Sequence, residues 1–239
     1  MSIRTYLKAG LILTLGIFAY SLIVRQTLAM YIHPRFTTLT LIASLGMVLV
    51  ALSYFRPGQK DDQEHNPVTW IGLVVIALPL VMGFLVEPRP LGASAMQNRE
   101  VNLDTMASIA VSRQSNVDVT IPSGEKNILD WLTDFQSNPD PYTFEGEEAQ
   151  ISGFIYRDAA FPEGTFMVSR FVVSCCTADG SPVGLVAYSE GFSDTLDSDQ
   201  WIDVKGEFEI QTFMGREIPV LRIDELELIE APKQPYLYP

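Results

Sequence analysis

The chain has 239 residues, 47% of them hydrophobic and 19% charged, with a formal net charge of −13. Length alone allows one or two domains, but the average hides a division: residues 1–89 carry 7 Lys and Arg against 4 Asp and Glu, whereas residues 90–239 carry 9 against 25. The apolar excess lies in the first part, which argues against a fully soluble enzyme, and the acidic second part argues against a nucleic-acid binder, because a phosphate groove needs clustered Lys and Arg.

Three stretches are predicted to cross a bilayer: Thr5–Val24, Phe36–Phe55 and Thr69–Val86, with Lys8 their only charge. Roughly 20 helical residues cover a ~30 Å hydrocarbon core, and three such runs within ninety residues do not suit buried core helices. A cleaved signal peptide is the alternative for the first, but Arg25-Gln26-Thr27 lacks the small-residue pattern of a cleavage site. Pro79 lies inside the third run, where a missing backbone donor predicts a kink. Arg4, Lys8, Arg56 and Lys60 on one side balance Arg25, Arg35, Arg89 and Arg99 on the other. The acidity of the large domain tips the expectation to an inner-membrane, multi-pass protein with its N-terminus inside and the domain extracytoplasmic.

Between the first two spans, RQTLAMYIHPRF holds His33, a candidate ligand for a metal or a partner's carboxylate, or else polar punctuation beside Pro34. The loop RPGQKDDQEHNP, with His65, reads as solvated. EPRPLGASAM, from Glu87, leads into a linker assigned to residues 90–116, because proline disfavours helix. The alternation in NVDVTIP predicts a short strand. NILDWLTDF predicts a helix with Ile128, Trp131, Leu132 and Phe135 on one face, Asn127 as its cap and Asp130 three residues on. Pro139 and Pro141 end it.

From Tyr142 onward five β-rich runs follow: AQISGFIYR, TFMVSRFVVSC, VGLVAYS, WIDVKGEFEI and EIPVLRIDELELIE. Five strands suit a small OB-like barrel, with Gly153 and Gly206 at bulges or corners, and the tail PKQPYLYP is expected along the surface. The predicted class is therefore an α+β membrane protein: three transmembrane helices over residues 1–89, a linker over 90–116, and a mainly β domain over 117–239 with one short helix.

Both histidines lie in the membrane half, so a Ser-His-Asp or Cys-His arrangement confined to the β domain is impossible. Phosphate-loop, GxGxxG and CxxC motifs are missing as well. No enzymatic activity is expected. The local chemistry that remains is Cys175-Cys176, the only cysteines, with Asp179 just beyond. Alternation along a strand would send one cysteine inward and one outward unless a turn re-aims them. Two readings stand: small buried fillers, or a soft-metal or redox site for an ion such as zinc or copper, with Cys175, Cys176 and Asp179 as ligands. Asp194, Asp197 and Asp199 form an acidic run that reads as a solvated hairpin loop.

YIHPR between the first spans, PLG after the last, then ISGFIYRD, RFVVSCCTADGSPVG, WIDVKGEF and a closing PYLYP resemble the YcgQ-type family of permease subunits. The resemblance implies a prokaryotic membrane protein that acts with a larger integral membrane permease; the apolar spans add membrane lipid as a partner, and the acidic domain excludes nucleic acid. It also implies that Arg170, Cys175, Cys176 and Asp179 matter as a set. The expected function is a membrane-anchored accessory subunit whose soluble domain binds or gates; the alternative is a stand-alone metal- or thiol-dependent binding module.

Overall fold

A computed structural model describes residues 3–54, 69–97, 122–189 and 196–239. The predicted strand over NVDVTIP, the loop with His65, and Asp194 lie outside them. The chain divides into two compact units, Met1–Arg89 and Pro90–Pro239.

The first unit is helical. Helix α1 spans Ile3–Val24, α2 Thr37–Ser53 and α3 Trp70–Leu85. Two helical stretches, Thr5–Val24 and Pro34–Ser53, are long and apolar enough to cross a membrane. The third is shorter than the sequence suggested. Thr69 starts it as a cap, its Oγ1 accepting from the Gly72 N–H at 3.3 Å, and 16 helical residues rise about 24 Å. Pro79 lies within it, and the helix continues on both sides.

Small residues let α1 and α2 approach closely. Ala9, Ser44 and Ala51 are buried, and a Cβ on Gly16 would lie 3.0 Å from the Ser44 carbonyl oxygen. This is how helices associate where lipid removes the hydrophobic driving force. Gly83 of α3 faces Phe18 of α1, and the Phe18 and Phe84 rings meet edge to face at 5.0 Å. Much of the remaining apolar surface points outward, including Leu39, Ile42 and Leu49 on α2 and Ile71, Val74 and Leu85 on α3.

The second unit is built on five strands: β1 Glu148–Tyr156, β2 Thr165–Val172, β3 Ser181–Tyr188, β4 Trp201–Phe213 and β5 Arg216–Ile229. They close into a barrel in the order β1-β2-β3-β5-β4. All neighbours are antiparallel except β3 and β5, which pair in parallel through Ala187↔Leu221 and Tyr188↔Arg222. The register of β4 against β5 shifts at Lys205/Gly206, and a Cβ on Gly206 would collide with the Arg222 carbonyl, so glycine is required there. Gly153 also abuts backbone: its Cβ would lie 2.6 Å from the Ser169 carbonyl oxygen.

Two apolar layers hold this unit. The first gathers Ile151, Phe166, Val168, Leu185, Ile202 and Phe208 with Ile128, Leu129 and Trp131 of helix α5 (Ile128–Ser137). Alternation puts the other strand positions into the second layer, where Phe154, Met167, Phe171 and Trp201 pack with Ala93, Met96 and Tyr236. Helix α5 starts as expected: Asn127 Oδ1 accepts from the Leu129 and Asp130 N–H groups, and the Asn127 N–H donates back to Asp130 Oδ2 at 2.9 Å.

Two expectations are corrected here. The linker assigned to 90–116 is not free of structure at its start: Ala93–Gln97 forms helix α4, whose Ala93 and Met96 complete the second layer. Asp197 and Asp199 stand in an exposed turn, as expected of a solvated loop, and the Asp199 carboxylate also accepts from the Ala93 N–H and so ties α4 to the barrel. The tail does not merely lie on the surface. Tyr236 and Leu237 are buried, the Leu237 N–H donates to the Phe171 carbonyl at 2.8 Å, and the Val173 N–H donates to the Leu237 carbonyl at 2.9 Å. Alternation along PYLYP supplies these anchors, and proline excludes only a longer ladder.

Candidate functional site

Strand β2 ends at Val172, and the chain turns through Cys175, Cys176 and a 3₁₀ turn over Thr177–Asp179 before β3 begins. The turn is organised by Asp179. Its Oδ1 accepts from the Ser174 N–H at 3.2 Å and its Oδ2 from the Cys175 N–H at 2.7 Å, while the Asp179 N–H returns a bond to the Cys176 carbonyl at 3.0 Å. Such side-chain-to-backbone bonds are what a short acidic residue offers a turn.

This turn carries both cysteines beyond the strand and re-aims them. Neither faces the barrel interior: Cys175 is exposed, Cys176 partly so, and both are free thiols with their Sγ atoms 3.6 Å apart. The filler reading therefore fails, since a filler must be buried. A hydrogen bond to the Asp179 carboxylate, followed by the one to Cys176, pushes the Cys175 thiol up to about 11. Burial pushes Asp179 up, but the bonds from the Cys175 thiol and the loop N–H groups outweigh it and hold the carboxyl below its ordinary value. The loop thus presents Cys175 as a protonated thiol beside a carboxylate that stays ionised. Among the described residues, no three His, Cys, Asp or Glu side chains are grouped to hold one metal ion. A soft ion here would rest on the two sulfurs, and Asp179 would have to give up backbone bonds to join them.

Arg170 takes a different place from the cysteine pair. It projects from β2 toward β1 and β4, where its Nη2 donates to Ser152 Oγ at 2.8 Å and its guanidinium lies 5.3 Å from the centre of the Trp201 ring. Burial lowers its pKa, and Asp203 opposes that shift. A cleft of about 350 Å³ opens beside it, bounded by Gln150, Ser152, Asp203 and the Glu125–Ile128 segment. The cross-strand register Ser152↔Asp203 assembles this cleft. Sequence reasoning missed Gln150, Ser152 and Asp203. Their signal is period-two polarity in QIS and WID, which alone does not say which strands are neighbours.

His33 serves its own turn: its Nδ1 accepts from the Arg35 N–H at 3.0 Å and caps the 3₁₀ turn Pro34–Phe36. The Arg35 guanidinium lies 4.9 Å from the centre of the Phe36 ring.

No curated protein matches the chain. Residues 98–239, more than half of its length and including the whole barrel, match the DUF1980 C-terminal domain. The protein therefore belongs to the DUF1980 family.

Proposed function

We propose that the protein is a membrane-anchored accessory subunit of a permease system, with its β-barrel domain acting as a binding or gating module. The observation that carries this reading is the apolar surface left outward on α1, α2 and α3. Soluble monomers rarely expose contiguous apolar patches above a few hundred Å², whereas lipid and the helices of a larger permease would cover such faces. Helix α3 serves as a third span despite its length, because local bilayer thinning accommodates a short helix at modest cost. On this reading three spans put the N-terminus and the acidic domain on opposite sides of the inner membrane, and we assign the acidic domain to the outside for its lack of dense positive charge. The strand order, with its single parallel pairing of β3 and β5, supports an OB-type barrel. Extraction in mild detergent should recover the protein with a multi-span partner; recovery only as a monomer overturns the proposal.

A second reading has its own support in the paired, accessible thiols. Two sulfurs 3.6 Å apart on an exposed turn suit one soft ion, zinc or copper, held by both thiolates. Elemental analysis of the full-length protein tests this reading. It requires bound metal that a Cys175→Ser, Cys176→Ser variant loses, and metal-free protein after loading refutes it.

A further inference from the structure

The cleft beside Arg170 has a chemistry that neither the membrane helices nor the cysteine turn uses. Burying a guanidinium costs free energy unless a carboxylate or a full set of acceptors compensates it. Arg222, on the barrel surface, shows the ordinary solution, since its guanidinium meets Glu207, Glu209 and Asp224. Arg170 is more buried and less compensated. Among the described residues it donates to one neutral hydroxyl, that of Ser152, and its buried Nε has no partner. Asp203 borders the same cleft and offsets part of the burial of Arg170 through its charge, while its Oδ1 accepts from Gln150 Nε2 at 2.7 Å.

The surrounding charges restrict what could complete this site. Lys126 is committed elsewhere, with its Nζ 2.9 Å from Asp134 and 4.2 Å from the centre of the Trp131 ring. The cleft thus holds one under-compensated cation, Arg170, with two carboxylates, Asp203 and Glu125, on its border. A multiply charged anion would be repelled by those carboxylates, and a simple cation by Arg170. A carboxylate matches the planar guanidinium fork, and an adjoining ammonium would be welcomed by the acidic border.

We infer that this cleft binds a free α-amino acid, its carboxylate on Arg170 and its ammonium toward Asp203 and Glu125. The lining offers little apolar surface, which selects small or polar side chains. The inference needs neither a permease partner nor bound metal, and so stands apart from both readings above.

Calorimetric titration of the full-length protein in detergent tests it, with the standard α-amino acids, acetate and orthophosphate as separate titrants. A small or polar amino acid should bind at one site per chain, more tightly than acetate or orthophosphate. Arg170→Lys, which keeps the charge but loses the fork, should weaken binding at least ~10-fold. Should that variant fail to fold by circular dichroism, Asp203→Asn at the border supplies the test. It should weaken amino-acid binding several-fold and leave acetate binding no weaker. The inference is overturned if no amino acid binds at concentrations up to about 10 mM, if orthophosphate or acetate binds as tightly as the best amino acid, or if Asp203→Asn leaves amino-acid binding unchanged.

Discussion

Substituting Asp179 by Asn should make Cys175 more reactive. The hydrogen bond to the Asp179 carboxylate is the largest cause of the rise from 9.0 to about 11, with the bond to Cys176, burial and the carboxylate's charge adding to it. Near pH 8 a thiol at 11 is about 0.1% thiolate and one returned fully to 9 is about 9%, so roughly 100-fold is the ceiling on the gain. A less basic thiolate is also a weaker nucleophile: with a Brønsted coefficient of about 0.4–0.5, two pKa units cost roughly 6- to 10-fold. The net expectation is a higher alkylation rate, by up to about 10-fold. Cys176→Ser serves as the background, so that iodoacetamide reports Cys175 alone, followed by mass spectrometry with and without Asp179→Asn. An unchanged or slower rate, in protein whose circular dichroism is intact, would show that Asp179 does not govern the thiol.

The same carboxylate makes the turn pH-sensitive. Asp179 lies below its ordinary pKa, so the loop bonds are complete at neutral pH and are lost as pH falls through that depressed value; once intrinsic exchange is corrected for, amide exchange at Ser174 and Cys175 should lose protection there. If the dithiol holds a soft ion, apparent affinity should rise about tenfold per pH unit for each thiol proton displaced, and a flat profile between pH 6 and pH 9 would exclude thiolate ligation by Cys175. Gly206→Ala should destabilise the barrel by about 3 kcal/mol or more in chemical unfolding, because its Cβ meets the Arg222 backbone rather than a movable side chain. Gly16→Val should loosen the α1–α2 pair by about 1–3 kcal/mol in thermal unfolding in detergent, and a wild-type midpoint would contradict the close approach at Ser44.

The division into an apolar helical part and an acidic β part was legible in charge and hydropathy alone, because those depend on composition over long windows. Helix α5 was equally legible: Asn127 and Asp130 cap it locally, and Ile128 and Trp131 recur at helical spacing. The five strands follow from alternation, and Gly206 from the difficulty of placing any side chain at a bulge. Such features are settled within about ten residues of chain. Helix α4 was not, because its stability comes from Asp199, 106 positions away, and from the second apolar layer. The tail was misjudged for the same reason, its anchors being the Phe171 carbonyl and the Val173 N–H on and just past β2.

The candidate sites divide along the same line. Cys175, Cys176 and Asp179 lie within five residues, so their proximity was readable. Whether a strand or a turn held them decided between buried filler and exposed dithiol, and the Asp179 bonds to Ser174 and Cys175 decided for the turn. Arg170 stands five residues before Cys175 in the chain, yet its neighbours come from β1 and β4. Composition and periodicity determine which residues are polar and which face they share. Register and barrel closure determine which polar residues meet, because a one-residue slip would send Ser152 and Asp203 to the opposite face and leave no cleft beside Arg170.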